Sequence, residues 1–371
     1  MTSYDVVVCS TSHPVYDQRL AKVCNTLCVS GNKVLQIGRS KSKNQSKNLG
    51  KDWEILLIHC FFNEGFLFYA EYNLRLFLAL LRLKAKIYCA NDADTIMACG
   101  VASVLMQTTL FYDSHEYFTE SPELKGRPIV KKVWDVIERC FVTRVCTFYT
   151  VSQSLVEIFE KKFGRQVHLV RNLPYRCDLS IVGENVDSHN EKIILYQGVV
   201  NVGRGLHEAI DMMEFLPEYE LWIAGEGDIS REIKAYAASK DFSPRIKLLG
   251  MLKPDDLREV TRKARYGLNL LDSDNPNYYY SLANKFFDYL VQGVPCITMN
   301  FPEYAEVFKM YNAGILIDRL NADVIATKIR EIDQSDPSIF NAMVANAKLL
   351  SEEYNWENES VKLISLYNAY L

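Results

Sequence analysis

The chain has 371 residues, too many for one ordinary hydrophobic core and enough for two domains. Its 42 Lys and Arg against 46 Asp and Glu leave a net charge of −4, which excludes the basic balance of a nucleic-acid binder. The 49% hydrophobic and 24% charged residues are globular proportions, and the ten cysteines form no CxxC pair, so a disulfide framework is not expected and a reducing, cytoplasmic compartment is.

No signal peptide is expected, because Met1–Asp5 runs straight into a strand-like segment. No uninterrupted apolar run reaches the ~18 residues that span a bilayer. The longest, 66–83, is broken by Glu71, Arg75 and Arg82 and reads as a core helix. A membrane-surface helix is the competing reading, supported by the lysine-rich 39–51 loop, and it would put the protein at the inner face of a membrane.

In chain order, 4–10 (YDVVVCS) is a β-branched run that predicts a buried strand, 18–30 a helix closed by Gly31, and 33–38 the next strand. Strands follow at 55–59, 87–90, 109–113, 146–152 and 167–171, alternating with helices at 71–83, 95–106, 129–143 and 154–163. The polar stretch 174–191, with Pro174, Gly183, Asn185, Asp187 and Asn190, has no period and reads as a linker. A second series has strands at 192–197, 220–224, 246–249, 266–271, 296–299 and 314–317, with helices including 206–215, 230–239, 255–263 and 283–292. The tail, 323–332, 337–354 and 357–370, is helical. The expected fold is α/β, two tandem Rossmann-like doubly wound parallel sheets at 1–173 and 192–350, with 351–371 crossing back to the first domain. Ligands in such sheets sit at the carboxyl ends of the strands.

Several strand ends carry chemistry. After the first strand, His13, Asp17 and Arg19 fall on a loop and helix start, where Asp17 is either a functional carboxylate or an N-cap. The 109–113 strand ends in Asp113-Ser-His-Glu116, three titratable groups in four residues; His115 is either a proton or hydrogen-bond donor or a structural loop histidine. Asp92-Ala-Asp94 and Asp272-Ser-Asp274 match a short metal pattern, but both lie where caps or turns belong, and no metal is expected. The strand 192–197 runs into Gly198-Val-Val-Asn-Val-Gly203-Arg204-Gly205. This nearly spells a P-loop, but Arg replaces its Lys and Gly its Ser/Thr, removing the usual Mg²⁺ ligand and leaving a glycine-rich anion site. Gly225-Glu-Gly227 ends the next strand, where a nucleotide can approach the backbone closely.

The stretch 278–295 predicts a helix at 283–292, N-capped by Ser281 and stopped by Gly293 and Pro295. Lys285 falls in its first turn, where a cation opposes the helix dipole, and Asp288 lies three residues on. The pair is either an i,i+3 salt bridge on a solvated face or a clamp, with Lys285 on a phosphate and Asp288 on a sugar hydroxyl.

Together these pieces resemble the GT-B glycosyltransferases, in particular glycosyltransferase family 4, over nearly the whole chain. The motifs Asp92-Ala-Asp94-Thr, Asp113-Ser-His-Glu116, Thr150-Val-Ser152, Asn172-Leu-Pro174, Tyr196-Gln-Gly198 and Arg204-Gly205 recur there in order. Ser281-Leu-Ala-Asn-Lys-Phe-Phe-Asp-Tyr-Leu-Val-Gln-Gly-Val-Pro295 is similar to the family's LPNKxFEYxxxGxP donor segment, and Tyr354-Asn-Trp356 to its closing helix. Three features depart. Tyr280 and Asp288 stand where the family often has two glutamates, Arg204 is the only basic residue in the phosphate loop, and Ser12-His13-Pro14 replaces a glycine pair.

The resemblance implies a retaining, metal-independent transfer from a nucleotide-diphosphate sugar, used as co-substrate without a cofactor, to a saccharide or lipid-linked saccharide. Gly198, Arg204, Gly225, Asn284, Lys285 and Asp288 would bind the donor. His115, Glu116 and Asp17 would serve catalysis, with His115 at the donor sugar or its oxocarbenium-like transition state, and His13 and Arg19 would lie on the acceptor side. A sugar-nucleotide epimerase and a non-catalytic nucleotide-sugar-binding protein are the rival readings.

Overall fold

The computed structural model describes residues 3–40, 52–176 and 191–371, without the side chain of Glu123. Most of the 174–191 linker and most of the lysine-rich loop therefore lie outside the described residues. The chain divides into two compact units, Met1–Asn172 with Glu359–Leu371, and Leu173–Asn358.

The first unit runs β1 (Ser3–Cys9), α1 (Gln18–Val29), β2 (Val34–Ser40), β3 (Glu54–His59), α2 (Gly65–Leu80), β4 (Lys84–Asn91), α3 (Ala93–Met106), β5 (Thr109–Ser114), α4 (Pro128–Val142), β6 (Thr147–Thr150), α5 (Gln153–Phe163) and β7 (His168–Leu169). Its sheet is parallel, in the order β3-β2-β1-β4-β5-β6-β7. The apolar runs read as strands are buried on both faces: Val6, Val7, Val8 and Cys9 are fully enclosed.

The second unit runs β8 (Ile193–Gln197), α6 (Leu206–Asp211), β9 (Glu220–Ala224), α7 (Ser230–Ala238), β10 (Ile246–Gly250), α8 (Pro254–Lys263), β11 (Tyr266–Asn269), α9 (Pro276–Tyr279), α10 (Asn284–Leu290), β12 (Cys296–Met299), α11 (Pro302–Met310), β13 (Gly314–Ile317), α12 (Ala322–Gln334), α13 (Pro337–Glu353) and the start of α14 (Trp356–Asn368). Its sheet is also parallel, ordered β10-β9-β8-β11-β12-β13. The later part of α14 belongs to the first unit. There Tyr367 is fully buried, its ring 4.7 Å from Phe111 and its hydroxyl 3.1 Å from that of Tyr149.

The order in which strands are added reverses between β1 and β4 in one sheet and between β8 and β11 in the other, while every strand stays parallel. These switch points open crevices at the carboxyl ends of those strands. Residues 10–17 and 91–94 sit at the first, and 198–205 and 270–274 at the second.

Some boundaries differ from expectation. α2 begins at Gly65 rather than 71, because Gly65 takes φ +71 and Phe68, Tyr72, Leu76 and Leu80 continue one buried stripe. The 206–215 helix breaks after Asp211 into a 3₁₀ turn. α11 was not expected; Pro302 starts it at the first helical position, while Tyr304, Val307 and Phe308 bury its inner face. α10 is shorter than 283–292 and has Ala283, not Ser281, at its N-cap; Ser281 Oγ donates to Tyr278 O at 2.8 Å instead. Gly293 does end it, with φ +73.

Candidate active site

In the second unit the site is built around Tyr289. A Cβ on Gly267 of β11 would stand 2.2 Å from the Tyr289 ring, so the glycine makes room for it. The Tyr289 hydroxyl accepts from Gln197 N at 2.9 Å and reaches Leu195 O at 3.1 Å, pinning α10 across the β8/β11 switch point. Four residues earlier, on the same helix face, is Lys285. It is 8% exposed, and its Nζ lies 3.8 Å over the Tyr196 ring with no hydrogen-bond partner. Burial, and then the charge of Arg204, push its pKa well below the usual lysine value.

Arg204 stacks its guanidinium 4.8 Å over the Tyr278 ring, and its Nε also has no partner. The loop that carries it is shaped by glycines. A Cβ on Gly203 would meet Tyr278 at 2.7 Å. Gly198 takes φ +123, and a Cβ there would stand 3.4 Å from Lys285 Nζ. Gly225 takes φ +143, and its Cβ would fall 1.9 Å from Gly198 O, so the two loops touch backbone to backbone. Gly225→Ala is therefore expected to lose about 1–3 kcal/mol of stability from backbone conformation alone, read by urea unfolding. A wild-type midpoint would show that the loops do not pack this way.

A hollow of about 540 Å³ borders the outer side of this loop, lined by Arg204, His207, Asp272 and Arg319 among others. Lys285, Gly198 and Gly225 do not line it. Phosphate is held by charge and donors rather than by volume, so the meeting of Arg204 and Lys285 locates the anion site better than the roomier space. Asp288 is half-buried on α10, and Asn284 is exposed at its first position. Tyr280 packs its ring edge-on against Tyr279 at 5.0 Å. Asp272 Oδ1 accepts from Asp274 N at 2.9 Å, so that pair closes a turn.

In the first unit a small polar hollow of about 50 Å³ is lined by Thr11, Ser12, Asp17, Asn91, Asp92, Asp94 and His115, among others. His115 Nε2 lies 2.9 Å from Asp113 Oδ2, an ion pair without a well-aligned hydrogen bond, and Nδ1 is 3.4 Å from Asp92 Oδ2. Burial works against the charged imidazole, but Asp113 and Asp92 outweigh it and raise the pKa to about 9. Asp113 is in turn held by Arg19, whose Nη2 donates to Oδ1 at 2.8 Å; the Arg19 and His115 charges overcome burial and lower its pKa. Asp92 caps α3 at φ 58 and ψ 169, a conformation nearly reserved for glycine, and accepts His115 N at 2.8 Å. Thr11 Oγ1 donates to Asp94 Oδ2 at 2.5 Å, and burial plus the Asp92 charge raise the Asp94 pKa to about 7.

The sequence expectations for this unit divide. His115 and Asp17 share the hollow. Asp17 is also the N-cap of α1, accepting from Leu20 N at 3.0 Å and from Ser12 Oγ at 2.5 Å. Arg19 is not available to an acceptor: it is 4% exposed, with its guanidinium committed to Asp113 and Val170 O. It positions Asp113 and, through it, His115. His13 Nδ1 accepts from Val15 N at 3.2 Å within its own loop, where Pro14 packs on Gly38. Glu116 is exposed and outside the hollow. Sequence reasoning gave Thr11 no role and carried Asp94 only as part of an Asp-x-Asp pattern and a family motif, without assigning it to the site.

Residues 181–349 match the family model described as glycosyl transferases group 1. The match falls on the second unit. As a fold, the chain is similar to sucrose-phosphate synthase from Thermosynechococcus elongatus, with TM-score 0.80 and 14% identity over 98% of each chain. It is similar to HepE from Anabaena, solved with UDP and glucose, with TM-score 0.76 and 13% identity over 98% of this chain and 99% of that one. The α,α-trehalose-phosphate synthase (UDP-forming) from Burkholderia vietnamiensis aligns at TM-score 0.71 and 9% identity, over 98% of this chain and 100% of that one. The fold is thus that of GT-B glycosyltransferase structures, and the residues that match the family model include Arg204 and Lys285. No curated protein matches the sequence.

Proposed function

We propose that the protein is a metal-independent, retaining glycosyltransferase that moves a sugar from a nucleotide-diphosphate donor to a saccharide or lipid-linked saccharide. The observation that carries this is the pair of cations, Arg204 and Lys285, brought together at a glycine-shaped loop with buried nitrogens lacking hydrogen-bond partners. Loss of a nucleoside diphosphate builds negative charge on the leaving phosphate, and two fixed cations lower that barrier in the role a metal plays elsewhere. Asp288 is assigned to the ribose hydroxyls. His115, charged near neutral pH, suits donation of a hydrogen bond to a sugar hydroxyl; a cation is a poor partner for an oxocarbenium ion, so that part of the expectation is dropped.

A thermal-shift panel of UDP-, GDP- and ADP-sugars tests the donor, since a ligand that binds only the native state raises Tm. UDP-sugars lead the panel because UDP is the nucleotide in the HepE complex. A shift with one nucleotide, abolished in Arg204→Ala and Lys285→Ala, supports the reading, and no shift with any of them overturns it. Incubation with donor alone separates the epimerase reading, which predicts an isomerised sugar nucleotide without acceptor.

A further inference from the structure

The connections β3 to β4, β4 to β5 and β5 to β6 all step the same way across the first sheet. Right-handed crossovers therefore lay α2, α3 and α4 side by side on one face, and α3 packs against both neighbours. A surface helix ordinarily turns its polar side outward. These three do not. α2 buries Phe68, Tyr72 and Leu76 toward the sheet, while Phe66, Ala70, Leu74 and Leu78, at four-residue spacing, face out with no charge among them. Phe66 is 79% exposed. α3 turns Val101, Val104 and Leu105 outward beside them. α4 buries Trp134, Glu138 and Val142 and exposes Ile129, Val133 and Val136, with Ile129 79% open to solvent. Scattered exposed apolar residues are ordinary, but a continuous apolar layer over three adjacent helices marks a contact surface.

The charges around it favour one occupant. Among the described residues, Arg82 after α2, Lys125 and Arg127 before α4, and Lys132 on α4 are exposed and make no ion pair. The carboxylates of α2 and α4 are engaged: Glu71 with Arg75, Asp135 with Arg139 and Lys162, and Glu138 with Lys162. Glu64, at the α2 N-cap, is the exception. The face is therefore apolar with a cationic rim on a chain whose net charge is −4. A two-fold contact between copies would set this patch against itself and bring like charges together. An anionic lipid surface meets both features, taking the side chains at the headgroup boundary and drawing in the rim.

We propose that the outer face of α2, α3 and α4 seats the protein on an anionic lipid bilayer as an interfacial contact that does not span it. No helix of the described residues is long and apolar enough to cross a membrane. Taken with the proposed transferase activity, and resting on it for this step only, the seat selects a lipid-linked saccharide over a free one as acceptor.

Vesicle flotation tests the seat without donor or acceptor, so its outcome is independent of the donor assignment. The protein is expected to float with phosphatidylcholine vesicles containing phosphatidylglycerol, less with phosphatidylcholine alone, and less again at high salt. The triple variant Leu74→Ser/Val104→Ser/Val133→Ser changes only exposed positions, keeps its Tm, and loses vesicle partitioning by at least about tenfold. Lys125→Gln/Arg127→Gln/Lys132→Gln loses the preference for phosphatidylglycerol. Three results overturn the proposal: no flotation with anionic vesicles, flotation unchanged in the triple variant, or a lipid-free dimer in sedimentation that the triple variant dissociates.

Discussion

Lys285→Met is expected to do two opposite things: abolish nucleoside diphosphate binding and make the free protein more stable. The first follows from the site. Removing one preorganised donor of developing charge typically costs about 2.7–4 kcal/mol of barrier, so kcat/KM for transfer falls by about 10²–10³-fold. The second follows from burial. An ammonium without a hydrogen-bond partner, pushed well below its usual pKa first by desolvation and then by Arg204, is a net cost to the unliganded fold. Met keeps the shape and removes that cost, and a gain of about 1 kcal/mol would raise Tm by roughly 2–4 °C for a unit of this size. A structural salt-bridge lysine would lose stability on the same change, so the sign of the Tm shift separates the two roles.

The same residue makes a proton prediction. The folded pKa of Lys285 is depressed, so the free protein gains stability as pH rises from that depressed value toward the unfolded value of about 10.4. A bound diphosphate favours the ammonium and raises the pKa again. Binding therefore takes up protons between the depressed value and the raised one, and affinity weakens as pH rises through that window. Titration calorimetry in two buffers of different ionisation enthalpy reads the uptake directly. Equal enthalpies in wild type and Lys285→Met would remove Lys285 from the phosphate.

Why Lys285 could be found in the sequence, and Arg19 could not be understood there, is a matter of range. A cation in the first turn of a short helix is locally misplaced, and local misplacement is visible in a single stretch. The strands 220–224, 296–299 and 314–317 were visible for a related reason, since a strand covered on both faces is an apolar run with sharp ends. Arg19 was also visible as a charge near a strand end, but its partner Asp113 lies 94 residues away. Only the β1/β4/β5 neighbourhood brings the two together. Asp92 shows a second kind of limit. Its φ of 58 is imposed by the turn from β4 into α3 and by the bond from His115 N, and neither leaves a composition signal. α11 was not read from the sequence, although Pro302 stands where proline begins helices.

The first unit should lose stability as pH rises through the neutral range, and Asp113 is the carboxylate that Arg19 and His115 share. Asp113→Ala leaves the Arg19 guanidinium enclosed with Val170 O as its remaining partner, and breaking a buried pair on one side typically costs about 3–5 kcal/mol. Replacing both partners, Asp113→Leu with Arg19→Met, should recover most of that loss, because neither charge is then stranded. The pH profile carries the complementary sign. Asp113 has a lowered folded pKa, so its contribution is present above the unfolded value and is lost on acidification. His115 has a folded pKa of about 9 against about 6.5 unfolded, so its contribution is full below 6.5 and is lost as pH rises toward 9, on the order of 3 kcal/mol in all. Asp94, raised to about 7, erodes stability in the window just below, between about pH 4 and 7. Tm is therefore expected to fall steadily from mildly acid pH to pH 9. His115→Gln should flatten the upper part of that decline and Asp94→Asn the lower part. A wild-type profile that is flat between pH 5 and 9 would mean that the three carboxylates and two cations do not share one field, and would leave His115 as an ordinary loop histidine.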